Sequence, residues 1–262
     1  MIFKRMLGAL GVGAPSVDTI LAARRVRPGG PLRGEVMIKG GDYDADIEYV
    51  ALGLVARVET EHSGGEHVGF TEFLRSEVSG PFRLRKGEGM SIPFDFPLPW
   101  ELPITVLQGR HLSGMAMGVR TELAIAAAVD KSDLDSLEVE PLDSQEAVLR
   151  AFSQLGFRFR SADLERGYIR NSRQELPFYQ EIEFYAPPAY SGRISEVELT
   201  FVTTPDGLDI VLEADRRADY RRPSKDVYGR FKASHKEALQ QDWAAQINKW
   251  LASVAGGYGH KG

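Results

Sequence analysis

The stretch KGEGMSIPFDFPLPWELPIT, residues 86–105, contains four prolines and still keeps a regular apolar pattern. Its large apolar side chains stand at even positions, namely Ile92, Phe94, Phe96, Leu98 and Trp100. In an extended chain, residues two apart point to the same face, so this set can fill a core. The prolines stand at odd positions, and their missing N–H groups fall on one edge. The stretch therefore predicts an edge strand that is blunted against further pairing.

Short segments of period two, separated by turn residues, continue through most of the chain. They include SVDTILAARR, LRGEVMIKG, DIEYVALGLVARVET and HVGFTEFLRSEV. The alanine-rich segment RTELAIAAAVD, residues 120–130, has helical propensity, but Thr121, Leu123 and Ile125 alternate with their neighbours, which favours a strand. The chain is therefore predicted to be mainly β, of the sandwich class.

Composition excludes several kinds of function. The 262 residues include no cysteine, which rules out disulfides, thiolate metal sites and cysteine nucleophiles and fits a reducing, cytoplasmic location. The formal net charge of -5 gives no global basic field, so nucleic acid is not an expected partner. No apolar run approaches the roughly 20 residues that cross a bilayer.

The amino-acid composition of the chain changes after residue 130, where the acidic stretch DKSDLDSLEVEPLDSQ predicts a linker or crossover. We expect an N-terminal sandwich with a leading helix at 1–135, a second sandwich with one helix at 136–223, and a helix with a disordered tail at 224–262. The second domain opens with a helix that carries a capping-box signature, Asp143 and Glu146, and ends at Gly156. Strands follow, two of them joined by the hairpin signal TPDG.

Amphipathic helices are predicted at both ends of the chain. The first precedes Gly11, and the last begins at a capping box formed by Ser234 and Glu237. We favour the interpretation that both helices pack on this protein. The alternative is that they dock onto a partner or a membrane surface, through the stripe residues Phe3, Met6, Leu7, Trp243, Ile247 and Trp250.

An arginine cluster is the surface patch most suited to binding. The sequence EADRRADYRRP brings together Arg216, Arg217, Tyr220, Arg221 and Arg222. A guanidinium group matches phosphate or carboxylate oxygens bidentately, so this patch could bind an anion, an acidic lipid or an acidic protein segment. The alternative is a solvated connector whose arginines pair with the interleaved aspartates.

A pair of histidines is a weaker candidate, for a metal site. His62, Glu66 and His67 are zinc-ligand types close together in the sequence EHSGGEH. Their spacing misses the HxxEH helix pattern by one residue, and the intervening Ser-Gly-Gly favours a hairpin tip. We therefore expect no metal and no cofactor, and we keep a metal-dependent hydrolase as an alternative.

The order of these segments resembles a known class of chain. VDTIL, PGGPLRGEVMIKGG, IEYVALGLVARVE, the proline-rich strand and TELAIAAAVDKSDLDSLEVEPL follow one another as in an arrestin-like N-domain passing to a second sandwich. More narrowly, the chain resembles the bacterial sporulation-control protein M (SpoOM) family, in which a helix precedes VDT and a helix containing DW follows the second domain. The DW here is Asp242 and Trp243.

This resemblance implies two tandem arrestin-like β-sandwiches and a regulatory role without catalytic residues or a cofactor. We therefore expect a cytoplasmic regulatory or scaffold protein that is not an enzyme and that binds protein partners the sequence does not name. The alternatives are a peripheral adaptor for membranes or acidic lipids, and the hydrolase. Self-association through a sheet edge or through the helices is a further expectation.

Overall fold

The structure is a computed structural model that describes residues 13–62, 65–217 and 225–256. The predicted N-terminal helix, with Phe3, Met6 and Leu7, lies outside these residues. The first strands are β1 (Ser16–Leu21), β2 (Arg25–Val26), β3 (Pro31–Lys39), β4 (Ala45–His62), β5 (Gly65–Ser79), β6 (Phe82–Leu84), β7 (Gly89–Pro97), β8 (Val106–Leu107), β9 (Arg110–His111), β10 (Met117–Ile125), β11 (Lys131–Ser136) and β12 (Glu138–Val139). The remaining elements are α1 (Asp143–Leu155), β13 (Arg158–Arg166), β14 (Phe178–Tyr185), β15 (Ile194–Thr204), β16 (Gly207–Arg216), β17 (Lys225–Ser234), α2 (His235–Ala238) and α3 (Trp243–Gly256). The protein is mainly β, as predicted.

The proline-rich strand β7 is an edge strand, which confirms the prediction. It lies outermost in a three-stranded sheet of order β1-β3-β7. The backbone hydrogen bonds that flank it involve even positions: the Leu98 N–H donates to the Gly30 carbonyl at 2.8 Å, and the Glu88 carbonyl accepts from the Gly40 N–H at 2.7 Å. Pro97 lies opposite Pro31, and neither residue has an N–H to donate across this pair. Phe94 is buried and Pro93 is exposed, so the apolar face turns inward as its parity requires.

A ten-stranded sheet runs through the rest of the protein. Its strand order is β11-β10-β4-β13-β14-β15-β16-β17, with β5 and β6 also paired to β4. The two halves of this sheet meet where β4 and β13 pair in parallel, with Glu59 opposite Glu165. The three-stranded sheet and the N-terminal half of the large sheet share one buried hydrophobic cluster, which includes Leu32, Phe94, Leu54 and Leu123.

The acidic stretch after residue 130 is more ordered than a linker. Residues 131–136 form β11, which pairs antiparallel with β10. The Asp133 carboxylate accepts a hydrogen bond from the Thr19 backbone N–H at 2.9 Å, so an acidic side chain ties this strand to β1. Composition alone misses this role, because the hydrogen bond joins residues 114 positions apart in the chain. The division of the chain at residue 135 stays a prediction.

Helices cover one face of the C-terminal strands β13 to β17. Phe152 of α1 packs on Phe184 of β14 with ring centroids 4.7 Å apart, and Trp243 of α3 contacts Phe231 of β17 edge to face at 6.2 Å. Helix α1 ends at Gly156 as predicted, but its N-terminal cap differs from the predicted one. Leu142 is the N-cap residue, and the Gln145 side chain accepts from the Leu142 backbone N–H, so the predicted pair of Asp143 and Glu146 is one position late.

The C-terminal region holds one strand more than predicted. Strand β17 occupies residues 225–234, where the sequence analysis placed no strand. The capping box of Ser234 and Glu237 is confirmed, but it opens the short helix α2 rather than one long helix. A second helix, α3, starts after Asp242, whose carboxylate accepts from the Ala245 backbone N–H at 2.9 Å. Because the helix is interrupted, Leu239, which lies between α2 and α3, is 56% exposed.

Trp100, which follows the proline-rich strand, joins the two halves. On one side its ring lies against Gly29, where a Cβ atom would come within 2.4 Å of the ring. On the other side it stacks on His235 of α2, with ring centroids 5.5 Å apart. The His235 ring is held in place by Ser144 Oγ at 2.8 Å and the Thr204 carbonyl at 2.9 Å. The Trp100 side chain thus links the segment that contains Gly29, the edge strand β7 and the C-terminal helices.

Among the described residues, no helix is long and apolar enough to cross a membrane.

Gly29→Ala should destabilise the protein by about 3 kcal/mol, because the new methyl group collides with Trp100 and the position also requires a positive φ. Gly87→Ala is the matched control, since Gly87 has φ of +68° and no atom within 4 Å of a new Cβ. This control should lose only about 1 kcal/mol. Urea unfolding of both variants measures the difference, and equal losses would show that the contact with Trp100 contributes nothing.

Candidate functional site

The uncovered face of the C-terminal sheet is acidic. Strands β13 to β16 alternate between apolar residues that face the helices and polar residues that face away, as Ile182 and Phe184 alternate with their neighbours in β14. We call the carboxylates on this uncovered side the acidic face. They are Asp163, Glu181, Glu183, Glu198 and Glu213.

The strand register brings these carboxylates into direct opposition. Asp163 lies opposite Glu181, Glu183 opposite Glu198, and Glu198 opposite Glu213. Like charges that face each other across neighbouring strands destabilise a sheet. Three of the residues, Glu181, Glu198 and Glu213, have carboxylate oxygens that all lie within 4.8 Å of one another. Such a row can persist only if protons or cations neutralise part of its charge.

Burial is the main cause of an altered acidity at this face. Burial, followed by the repulsion of neighbouring carboxylates, raises the pKa of Glu181 from 4.5 to about 9. The same two causes raise the pKa of Glu198 from 4.5 to about 7, and that of Asp163 from 3.8 to about 7. At neutral pH, Glu181 is therefore protonated, while Glu198 and Asp163 are poised between their two forms.

Basic groups neutralise only the margin of the acidic face. Arg160 contacts the Glu183 carboxylate at 2.9 Å and also pairs with Glu196. Within the ranges that the structure describes, no ion pair reaches Glu181, Glu198 or Glu213. The centre of the face therefore keeps a deficit of positive charge.

A cavity of about 460 Å³ opens over this centre. Its floor is the carboxylate trio, and its walls are aromatic and basic side chains. The lining residues are Tyr168, Ile169, Arg170, Tyr179, Glu181, Glu198, Thr200, Val211, Glu213, Tyr228 and Arg230. The Tyr228 hydroxyl donates to Glu213, and this bond is the largest cause that raises the pKa of Tyr228 to about 12.

The arrangement is suited to holding a positive charge. Tyrosine ring faces attract an ammonium or guanidinium group, and carboxylates beneath them add charge-assisted hydrogen bonds. Tyr168 is 67% exposed and Tyr228 is 61% exposed, so both rings are accessible. The trio could also offer oxygen ligands to a divalent cation, but the bound proton of Glu181 would first have to leave.

The predicted arginine cluster is only partly within the described residues. Arg216 is half-buried at the end of β16, and the Arg217 Nε donates to the Ser191 carbonyl at 3.1 Å. Tyr220, Arg221 and Arg222 lie outside the described residues. A binding role for this patch stays a prediction.

The C-terminal helix stripe packs on this protein. Trp243 is 3% exposed and Ile247 fully buried, while Trp250 is half-buried and lies against Gly229 of β17. The face that could have docked a partner is therefore already covered by the chain's own sheet.

The histidine group falls at a β-hairpin, where β4 ends at His62 and β5 begins at Gly65. His67 is exposed on β5. The side chains of His62 and Glu66 lie outside the described residues, so a metal site there stays untested.

Comparison with known proteins agrees with this fold. Residues 3–218 match the family model described as SpoOM protein. The chain belongs to the SpoOM family. A SpoOM relative, the sporulation-control protein spo0M of Bacillus subtilis strain 168, is 38% identical over 217 residues, which are 82% of this chain and 81% of that protein.

A solved SpoOM structure is also similar. The crystal structure of Spo0M from Bacillus subtilis matches with a TM-score of 0.78 and 33% sequence identity, covering 93% of this chain and 100% of that one. The resemblance inferred from the sequence is thereby confirmed at the level of the family.

The acidic face of this SpoOM chain was missed by the sequence analysis, although a signal for it exists. Glutamates recur at every second position in EIE (181–183) and EVE (196–198), and Glu213 stands between two apolar residues in LEA (212–214). Period two shows that each set shares a face of its strand, but only the register between strands shows that the sets meet.

Glu181→Gln should stabilise the protein at high pH. A carboxyl with a raised folded pKa contributes its stability below its ordinary pKa, and this contribution is lost as pH rises through the folded value of about 9. The amide needs no proton, so the free energy of unfolding should rise by about 1–2 kcal/mol near pH 9 and stay almost unchanged near pH 5. Urea unfolding at both pH values measures this.

The matched control is Glu77→Gln, which removes the same charge from an exposed position on β5. It should show no such difference between the two pH values. A stabilisation by Glu181→Gln that is equal at both pH values would contradict the proton-holding role of Glu181.

Proposed function

We propose that this protein is a regulatory protein of the sporulation-control type that acts by binding another protein and not by catalysis. Its membership of the SpoOM family and its 38% identity to a protein named for sporulation control support the regulatory role. A cytoplasmic location is part of the proposal, as are two tandem arrestin-like domains.

The observation that carries the binding function is the cavity on the acidic face. A deficit of positive charge over the half-buried carboxylates favours a ligand that carries a positive charge. Because the floor is a sheet and the cavity opens outward, a lysine or arginine side chain of a partner segment can enter end-on. We therefore assign to the partner a basic, flexible protein segment.

Aromatic walls add selectivity to this charge. Tyr168 and Tyr179 line the cavity together with the carboxylate trio, and a cation that contacts their rings gains from both. Arg170 and Arg230 also line the cavity, so an anionic group on the partner could pair with them at the margin. The cavity thus offers a cationic ligand two kinds of favourable contact.

Binding should depend on pH. A cationic side chain competes with the protons held by the face, and Glu198, whose pKa lies at about 7, becomes ionised as pH rises above that value. Affinity for a basic segment should therefore increase from about pH 6 to about pH 8, and salt should weaken it.

The test is calorimetric titration of the full chain with an oligolysine peptide, with an oligoglutamate peptide as the negative probe. We expect oligolysine to bind near pH 8 and oligoglutamate not to bind. The double variant Glu198→Gln, Glu213→Gln should weaken oligolysine binding about tenfold or more, because it removes two charges from the cavity floor.

The control Glu48→Gln, Glu77→Gln removes two charges from exposed positions of the N-terminal half. It should leave the affinity within about twofold. Equal losses in the two double variants would mean that only net charge attracts the peptide, and the cavity would then not be the site. Binding that is unchanged in the cavity variant would have the same meaning.

A further inference from the structure

Strand β17 ends the ten-stranded sheet and has a free edge. It pairs with β16 along its whole length, from Lys225 opposite Arg216 to Ser234 opposite Gly207. On its other side, no strand of the described residues pairs with it. An exposed strand of this length presents unpaired N–H and carbonyl groups to another strand.

The sequence of β17 is complementary to itself when reversed. The segment DVYGRFK, residues 226–232, is centred on Gly229. If two copies pair antiparallel around an axis through Gly229, Asp226 of one copy lies opposite Lys232 of the other. In the same register, Tyr228 lies opposite Arg230 and Val227 lies opposite Phe231. Every directly opposed pair is then favourable, as charge with countercharge, ring with guanidinium, or apolar with apolar.

The faces of the strand agree with this pairing. Asp226, Tyr228, Arg230 and Lys232 are exposed, whereas Val227 and Phe231 are half-buried on the side of the helices. Directly opposed residues in an antiparallel pair project to the same face, so the polar pairs meet on the open face and the apolar pair meets on the helix side. The axis passes through Gly229, so no side chain is opposed to its own copy there.

Neighbouring registers are less favourable. An axis through Arg230 places that arginine opposite its own copy. An axis through Tyr228 opposes Asp226 to Arg230 but leaves Lys232 without an acid in the described strand. Charged residues on an edge strand normally discourage pairing with another strand. On β17 they favour pairing in the register centred on Gly229.

Two of the charged groups on β17, Asp226 and Arg230, are not engaged in an ion pair within the described part of the chain. Lys232 already contacts the Asp209 carboxylate at 2.8 Å while its side chain stays 65% exposed, so it is positioned on the open face beside the edge.

We propose that the chain forms a two-fold symmetric dimer through antiparallel pairing of β17 with β17 of a second copy, with Gly229 at the axis. The pairing would extend the sheet across both copies. It would also place Arg230 of the second copy beside Tyr228, at the rim of the cavity, so that each copy contributes a basic group to the other's acidic face. This dimer does not depend on the proposed binding of a basic segment.

Sedimentation velocity of the full chain across the micromolar range tests the dimer, since one pair of strands buries less than a standard stable interface. We expect a reversible monomer–dimer equilibrium. Asp226→Lys should weaken it about tenfold, because two attractive pairs become repulsive. The control Glu77→Lys makes the same charge change on exposed β5 and should not weaken it. A chain that stays monomeric throughout would overturn the proposal.

Cysteine cross-linking tests the register, because the chain has no cysteine of its own. The double variant Asp226→Cys, Lys232→Cys should give a covalent dimer on mild oxidation, and its two cysteines are too far apart along one strand to bridge within a copy. Asp226→Cys, Arg230→Cys opposes the cysteines only in the register centred on Tyr228 and should cross-link poorly. Cross-linking of the second variant alone would contradict the Gly229 axis. Circular dichroism checks that each variant is folded.

Discussion

Cross-strand repulsion between half-buried carboxylates is the constraint around which the C-terminal half is organised. Glu183, Glu198 and Glu213 stand in one row across three strands, an arrangement that costs stability unless charge is removed. The opposite faces of the same strands pack apolar side chains against the helices, and this packing holds the row together. Because the strands are fixed by their buried side, Glu181 and Glu198 respond by retaining protons and not by moving apart.

The N-terminal half supplies the support for this arrangement. Its large sheet continues into the C-terminal strands where Glu59 of β4 meets Glu165 of β13. Trp100, wedged between Gly29 and His235, ties the edge strand of the small sheet to the C-terminal helices. The acidic face is thus carried by strands that continue the N-terminal sheet and are tied to the N-terminal half through Trp100, which favours a preformed cavity over an induced one.

Local patterns predicted the strands well, and non-local pairing set the limit of that prediction. The parity of residues 92–100 was sufficient to give both the core face and the blunted edge of β7, because both follow from period two within one strand. Strand β17 escaped notice because Gly229 and the charged residues around it weaken its pattern, although its pairing with β16 is complete. The single long C-terminal helix was also wrong, since Asp242 starts a new helix after a break.

The candidate site shows the same limit more strongly. The arginine cluster was predicted as a binding patch because its residues are adjacent in the chain. The acidic face, by contrast, is assembled from four strands. Alternation assigns Glu181 and Glu198 each to the outer side of its own strand, but only the register shows that the two carboxylates meet and share a cavity. No property of a single segment contains that information.

Cation binding at the acidic face depends on the protons that the face holds at neutral pH, because a cation takes their place. Carbon-detected NMR titration of the side-chain carboxyl of Glu181, assigned with the Glu181→Gln variant, tests it most directly. A midpoint well above 7 is the result that this account predicts, in accord with a pKa of about 9. A midpoint near the ordinary value of 4.5 would show that the face is simply solvated, and it would contradict the account.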